Sequence, residues 1–188
     1  MSIEVRRLAI PDVVVLKPTR HRDERGFFVE TYSKRALADA GLELSFVQDN
    51  LSHSNRTGTL RGLHFQAPPF AQAKLVHVIC GRILDVAVDL RRTSTTFGQH
   101  VAAELSAENG EQIFIPIGFA HGFCTLAPNT IVSYKVTNYY SAAHDLGIYW
   151  NDPALNINWP FKPENIEISL KDTKQPLMRD INVFFEGK

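Results

Sequence analysis

His64, Gln66 and Lys74 stand within one stretch, Gly58–Gly81, and a second candidate histidine, His121, closes the run Gly110–His121. Two histidines in strand-like runs first suggest a metal. A zinc or iron site, however, wants three or four nitrogen, sulfur or carboxylate donors. Here the residue two after His64 is an amide, and Lys74 adds a cation. An ordinary ammonium has a pKa of about 10.4, so a dication would meet a like charge. Such a pocket repels a divalent metal and attracts an anion, and its chemistry is acid–base and electrostatic. An imidazole of ordinary pKa, about 6.5, is mostly neutral near pH 7 and can accept a proton. A fixed cation beside it favours negative charge developing on a substrate.

These residues sit in a chain that reads mainly as β. Pro11–Leu16, Phe27–Thr31, Phe46–His53, Leu60–Gln66, Lys74–Ile79, Ile83–Leu90, Gly98–Leu105, Gln112–Ile115, Phe119–Leu126 and Ile131–Tyr139 are short runs between Gly, Pro, Asn and Ser punctuation. Even spacing of this kind predicts a sandwich or barrel. Cys80-Gly81-Arg82 and Ala127-Pro128-Asn129 read as hairpin connections, and Pro68-Pro69 forces a loop. His21–Gly26 reads as a polar loop. Ser33 is placed to cap a short helix, Lys34–Ala40, closed by Gly41. Beyond Trp150 the chain is rich in Pro and Asn, yet Leu155, Ile157, Trp159 and Phe161 give it much to bury, which predicts an ordered wrap. On a regular strand His64 shares a face with Gly62 and Gln66 while Arg61 points the other way. Both Arg61 and His64 reach one pocket only if the strand is irregular near Gly62, and an irregularity is expected there.

The spacing Gly58, five residues, His64, then Gln66, Lys74 and Gly81 resembles the first motif of the cupins, with the second histidine and the glutamate replaced. Gly110, Pro116, Gly118 and His121 match the second cupin motif. The fold expected from this resemblance is a cupin-like jelly-roll barrel, mainly β, with a few short helices, mostly N-terminal and C-terminal. One domain, 1–188, accommodates the whole chain, with no internal repeat or linker.

Composition narrows the class. Twenty Lys and Arg balance twenty Asp and Glu, and hydrophobic residues are 44 %. That balance argues for a soluble globular protein and against nucleic acid or an acidic membrane as the main partner. Arg20, Arg22 and Arg25 cluster locally, as do Arg91 and Arg92; a solvated face is the simpler account of the second pair. The N-terminal run mixes charges into its apolar residues and does not read as a signal peptide. Cys80 and Cys124 both lie in apolar runs and are expected to be buried free thiols of a cytoplasmic protein.

Nine short motifs in order extend the resemblance to a family. They are Asp23–Glu30, Gln48–Ser52, Leu60–Gln66, Lys74–Val76, Asp85–Arg91, Pro116–Phe123, Tyr134–Tyr140, Gly147–Pro153 and Ser169–Asp172. Together they resemble dTDP-4-dehydrorhamnose 3,5-epimerase, a metal-independent, cupin-like enzyme family of nucleotide-sugar metabolism. The resemblance implies inversion at C3 and C5 of a dTDP-4-keto-6-deoxyhexose, no cofactor and a homodimer with strands shared between subunits. By the same resemblance His64 is the base, Asp172 its carboxylate partner, Lys74 the cation beside the enolate oxygen and Tyr134 the acid on the other face. A phenol near positive charge is expected to have its pKa drawn down. Arg25, Arg61 and Lys171 match positions that hold the diphosphate and nearby groups; Glu30, Gln48 and Asn50 match nucleotide contacts; His121 matches a sugar contact. Asp145 falls where many relatives carry Glu. Phe27 could pack on the sugar or the base, and equally, alternating with Val29, could be ordinary strand core. Gln66 has no catalytic role beyond hydrogen bonding and could simply fill the space of the second ligand. His53, His77, His100 and His144 are left structural.

Three other functions remain compatible with parts of this pattern. A metal-dependent cupin is disfavoured by Gln66 and Lys74. A non-catalytic nucleotide-sugar-binding barrel is disfavoured by the joint presence of His64, Lys74, Tyr134 and Asp172. An epimerase acting at C3 alone or C5 alone uses the same four residues.

Overall fold

The computed structural model describes residues 2–182, 185 and 186. In chain order its strands are β1 (Ile3–Arg7), β2 (Val14–Pro18), β3 (Arg20–Asp23), β4 (Gly26–Val29), β5 (Gln48–Ser54), β6 (Thr59–Gln66) and β7 (Lys74–Cys80). They continue as β8 (Arg82–Asp89), β9 (His100–Ser106), β10 (Gln112–Ile115), β11 (Phe119–Thr125), β12 (Thr130–Val136), β13 (Asp145–Gly147) and β14 (Glu167–Ile168). One helix, α1 (Lys34–Asp39), begins at Ser33, whose hydroxyl accepts from the Ala36 amide. Single 3-10 turns, Pro163–Asn165, Asp172–Lys174 and Met178–Asp180, punctuate the C-terminal wrap.

Two sheets face each other. The first runs β1-β2-β10-β7-β12-β5, and the second runs β13-β6-β11-β8-β9 with β14 added parallel to β6. This is the cupin-like jelly roll expected from the sequence. Because side chains alternate across a strand, each sheet has an inner and an outer apolar set. Val15, Val76, Val78, Ile113, Ile115 and Val132 of the first sheet meet Ile83, Ala87, Val101, Leu105, Phe119 and Phe123 of the second in the barrel interior. On the outer face of the second sheet, Leu60, Leu63, Phe65, Val86 and Val88 are covered by Trp150, Leu155, Trp159, Met178 and Phe185, so the C-terminal third is indeed an ordered wrap. The outer face of the first sheet is covered in part by Leu37 of α1 with Leu42, Leu44 and Phe46.

Several expectations change. The segment read as a polar loop, His21–Gly26, is mostly strand, because β3 and β4 pair into a two-stranded ribbon outside both sheets. Polar residues suit a ribbon that buries neither face. β1 was not expected; its residues are largely exposed and lack a core pattern, and its edge pairing with β2 holds it. Arg91 is not a solvated surface charge: its guanidinium bonds Asp89 and Asp12 and lies over the Phe119 ring. Cys80 is exposed at the end of β7, whereas Cys124 is buried, and both thiols are free. Burial pushes the Cys124 thiol up to about 12, which keeps it unreactive.

Candidate active site

At one end of the barrel the inner apolar columns give way to polar side chains. On β7 the column Val78, Val76 ends in Lys74, and on β12 Val132 is followed by Tyr134. β5 offers Gln48 and Asn50, with Asn50 paired to Tyr134 in register. From the second sheet come His64 and Gln66 on β6. Gln48, Asn50, His64, Gln66, Lys74, Tyr134, Tyr140 and Asp145 together line a pocket of about 190 Å³.

The irregularity expected at Gly62 is present and decides where Arg61 points. Register between β6 and β11 shifts: His121 pairs with His64 but Phe123 pairs with Arg61, so β6 carries one extra residue there. Leu60 and Leu63, three apart, consequently both pack on the outer face, and Arg61 and His64 both fall on the inner side. Gly62 takes φ +124°, and a Cβ there would lie 2.5 Å from the Gly122 Cα, so only glycine lets the two backbones approach this closely. Arg61 reaches across to β5, donating to the His53 carbonyl and the Ser54 hydroxyl, and its charge acts on Tyr134.

His64 Nε2 lies 2.6 Å from Asp172 Oδ1. Asp172 opens the 3-10 turn behind β6, where its backbone amide donates to the Ser169 hydroxyl and its second oxygen accepts from the Gly62 amide. Burial alone would raise the Asp172 carboxyl; the His64 bond and charge and the Gly62 and Ser169 donors outweigh it and hold the pKa below the ordinary carboxylate value. An ionised Asp172 accepts from Nε2–H, which leaves the neutral ring its lone pair on Nδ1. The side chain of His64 is 31 % exposed and that of Asp172 only 5 %, so the imidazole faces the pocket and the carboxylate does not.

Lys74 Nζ lies 3.5 Å from the His64 carbonyl oxygen. Burial lowers its pKa to about 8, against the pull of the Asp85 and Asp145 carboxylates. Tyr134 approaches from the sheet opposite to His64. Its pKa is raised, first by burial and also by Asp145, with Arg61 opposing; the expectation of a lowered phenol does not hold, because desolvation exceeds the cation's effect. A phenol that stays protonated is a competent proton donor.

The other expected residues divide into two groups. Lys171 pairs with Asp145 at 2.5 Å on the pocket rim, with the Tyr140 hydroxyl also on Asp145. His121 lies beneath the rim, buried, its Nε2 2.9 Å from Asp85 Oδ2. Arg25, Phe27 and Glu30 do not join them. Arg25 pairs with Asp23 at the ribbon tip, Glu30 lies beside Tyr32 and α1, and Phe27 is half exposed under the Arg20 and Arg22 guanidiniums. Phe27 is therefore not strand core.

Three residues escaped the sequence reading. Gln66 is a structural tie: its amide donates to the Phe70 and Tyr139 carbonyls and its oxygen accepts from the Ser141 amide, fastening both loops that frame the pocket. Its place on the inner face beside His64 was legible; its loop partners were not. Tyr140 sits in a segment without strand pattern, so no periodicity marked it. Asp85 did carry a signal, an acidic residue between the core positions Ile83 and Ala87 of β8. Among the described residues no group of three or more His, Cys, Asp or Glu side chains is arranged to hold a metal ion.

Comparison with known proteins gives one family. The family model for dTDP-4-dehydrorhamnose 3,5-epimerase matches residues 7–180. The dTDP-4-dehydrorhamnose 3,5-epimerase of Sinorhizobium fredii is 48 % identical over 179 residues, covering 95 % of this chain and 91 % of the relative. Among solved structures, dTDP-4-dehydrorhamnose 3,5-epimerase from Bacillus anthracis with TDP and PPi bound is similar with TM-score 0.91 and 50 % identity, covering 94 % of this chain and 99 % of that one. The dTDP-6-deoxy-D-glucose-3,5-epimerase from Legionella pneumophila in complex with dTDP-4-keto-L-rhamnose gives TM-score 0.93 at 40 % identity, covering 99 % of both chains.

Proposed function

The chain belongs to the dTDP-4-dehydrorhamnose 3,5-epimerase family, and we propose how its own residues invert C3 and C5 of a dTDP-4-keto-6-deoxyhexose. Both carbons flank the C4 ketone, so each carries an acidified proton. His64 Nδ1 removes that proton, and the C–H electron pair moves to the C4 oxygen as an enolate. Lys74 holds its ammonium beside the developing oxyanion, in a pocket where low dielectric strengthens the attraction. Asp172 steadies the imidazolium that forms. Tyr134 returns a proton to carbon from the opposite wall, which inverts the centre. His64 releases the abstracted proton and Tyr134 recovers one, each through solvent, and the cycle repeats at the second carbon. The observation that carries this reading is the placement of the His64–Asp172 pair and Tyr134 on opposing sheets of one pocket.

Binding follows the same reading. Arg61 and Lys171 hold the diphosphate, for which the Arg fork and a mobile ammonium suit phosphate oxygens. Gln48 and Asn50 contact the nucleotide, Asp145 orients Lys171 at the rim, and His121 supports the sugar end of the pocket from below. Arg25, Phe27 and Glu30 act from a second copy of the chain. The β3–β4 ribbon supports this: Phe27 is 50 % and Phe28 64 % exposed, an apolar cost that a homodimer partner would remove. The whole chain is taken as one catalytic domain that needs no cofactor and works in the cytoplasm, where nucleotide sugars are made; among the described residues no helix is long and apolar enough to cross a membrane.

The test is NMR of dTDP-4-keto-6-deoxyglucose incubated with the protein in deuterated water. Deuterium at both C3 and C5, with the L-rhamno product, is expected. Exchange and inversion at one carbon alone would make the protein a mono-epimerase, and no exchange at all would leave only a binding barrel.

A further inference from the structure

Asp85 has no part in the mechanism above, yet its position is costly. It lies on β8 between the core residues Ile83 and Ala87, fully buried. One oxygen accepts from His121 Nε2 at 2.9 Å, and the other, Oδ1, has no partner. A buried carboxylate with an unsatisfied oxygen is destabilising unless a facing charge compensates it. The nearby cation is Lys74, itself taken out of water at the top of the same interior, and the two side chains interact electrostatically.

We propose that Asp85 is a positioning residue for the epimerisation: its buried carboxylate, braced by His121, is the counter-charge that keeps the Lys74 ammonium charged and in place beneath the ketone.

This rests on the reading of Lys74 as the cation that meets the enolate. The titratable groups around Lys74 are His64 on β6, Asp85 on β8, His121 on β11, Tyr134 on β12 and Asp145 on β13, with Asp172 behind His64 and Arg61 across the pocket. Only two of the carboxylates act on Lys74. Asp145 is already engaged by Lys171 and the Tyr140 hydroxyl at the rim, where an arriving diphosphate competes for the same lysine. Asp85 has no second cation and cannot be reached by solvent. It therefore supplies a field that the substrate's own charges do not disturb. His121 fixes the direction of that field. With Nε2–H donated to Asp85 it carries no net charge of its own, and burial disfavours its protonation in spite of the carboxylate.

The experiment measures Lys74 directly and in turnover. In protein labelled with 13C at the lysine ε-carbon, the Lys74 resonance is identified by its loss in Lys74→Arg. Asp85→Asn is expected to move the Lys74 titration, and the alkaline limb of kcat, down by about one pH unit, to lower kcat about fivefold at pH 8 as the charged fraction of Lys74 falls, and to leave KM within about twofold. His121→Gln, which keeps the carboxylate, is expected to shift neither by more than a few tenths of a unit. An unmoved Lys74 titration in Asp85→Asn, or an equal shift in His121→Gln, overturns the proposal. If Asp85→Asn does not fold, Lys74→Met in the same chain is expected to restore folding, because the uncompensated cation is then gone; a double variant as unfolded as the single overturns it too. Failure of the epimerase reading would appear separately, as a wild-type protein that exchanges no substrate proton while its Lys74 still titrates.

Discussion

The active end of this barrel holds two histidine–carboxylate pairs side by side. His64 and His121 are register neighbours on β6 and β11, and each bonds one aspartate through Nε2, at 2.6 Å to Asp172 and 2.9 Å to Asp85. The chemistry of the two pairs is the same, and their surroundings are not. His64 is 31 % exposed and opens on the pocket, with its aspartate anchored from outside the sheet by Ser169 and Gly62. His121 is 7 % exposed, and its aspartate stands inside the barrel. A base must lose its proton to solvent twice per turnover, which only the first pair permits. The second pair, cut off from water, serves as a fixed electrostatic element. Solvent access, more than residue identity, separates the pair proposed to be catalytic from the pair proposed to support it.

That contrast can be broken most directly at the histidines. His64→Ala should lower deuterium incorporation at both carbons by about 10³-fold, within the range of a lost general base, while His121→Gln keeps easily measured exchange. Comparable losses would mean the two pairs share the base function. Next in size, Asp172→Asn should lower the exchange rate by about 10²-fold, because an amide can hold the wrong tautomer and cannot stabilise the imidazolium; retention of the wild-type rate would remove Asp172 from the pair's chemistry. Tyr134→Phe sharpens the comparison from the other wall. It should cut net inversion about 10²-fold but proton exchange much less, since abstraction by the His64 pair does not need the phenol, and equal losses in the NMR assay would strike Tyr134 from the acid role.

The smallest effects are in stability against pH, where the pairs should differ in window. Burial lowers the pKa of His121 below 6.5, so the unfolded chain binds the extra proton first. Stability is then lost as pH falls from about 6.5 through the lower folded-state pKa. The Asp172 carboxyl is held below 3.8, so its contribution is present above that value and lost only as pH falls through and below it. Urea unfolding of wild type and His121→Gln between pH 7 and 5 checks this: the variant should show the flatter profile, and parallel profiles would show that His121 is not the titrating group.

How far the site was legible follows from what each residue's role depends on. His64, Lys74, Tyr134 and Asp172, the proposed acid–base set, stand out in the sequence because each sits in a short motif that resembles the family's, and the order of those motifs along the chain is specific. The irregularity at Gly62 was readable too: strand alternation put Arg61 and His64 on opposite faces, and only an extra residue could reconcile them. Gln66 was not readable, because its amide is matched to loops around Phe70 and Tyr139–Ser141, and nothing local announces such partners. β3 reads as loop in the sequence because its polar residues lack a buried face, whereas most of β4 lies in the expected strand Phe27–Thr31; the two strands pair only with each other.

By itself the sequence determined the class of fold, through alternating runs with glycine, proline and asparagine between them, and, by resemblance to the family, pointed to the proposed acid–base set. The first follows from local rules of backbone geometry, the second from the order of the motifs shared with the family. Only the tertiary structure decided that the buried Asp85 leaves one oxygen without a partner while its charge acts on Lys74, that burial keeps Tyr134 protonated against the pull of Arg61, and that one of two equivalent pairs meets solvent. Desolvation and field depend on what packs around a group from distant parts of the chain, and no spacing in the sequence records that.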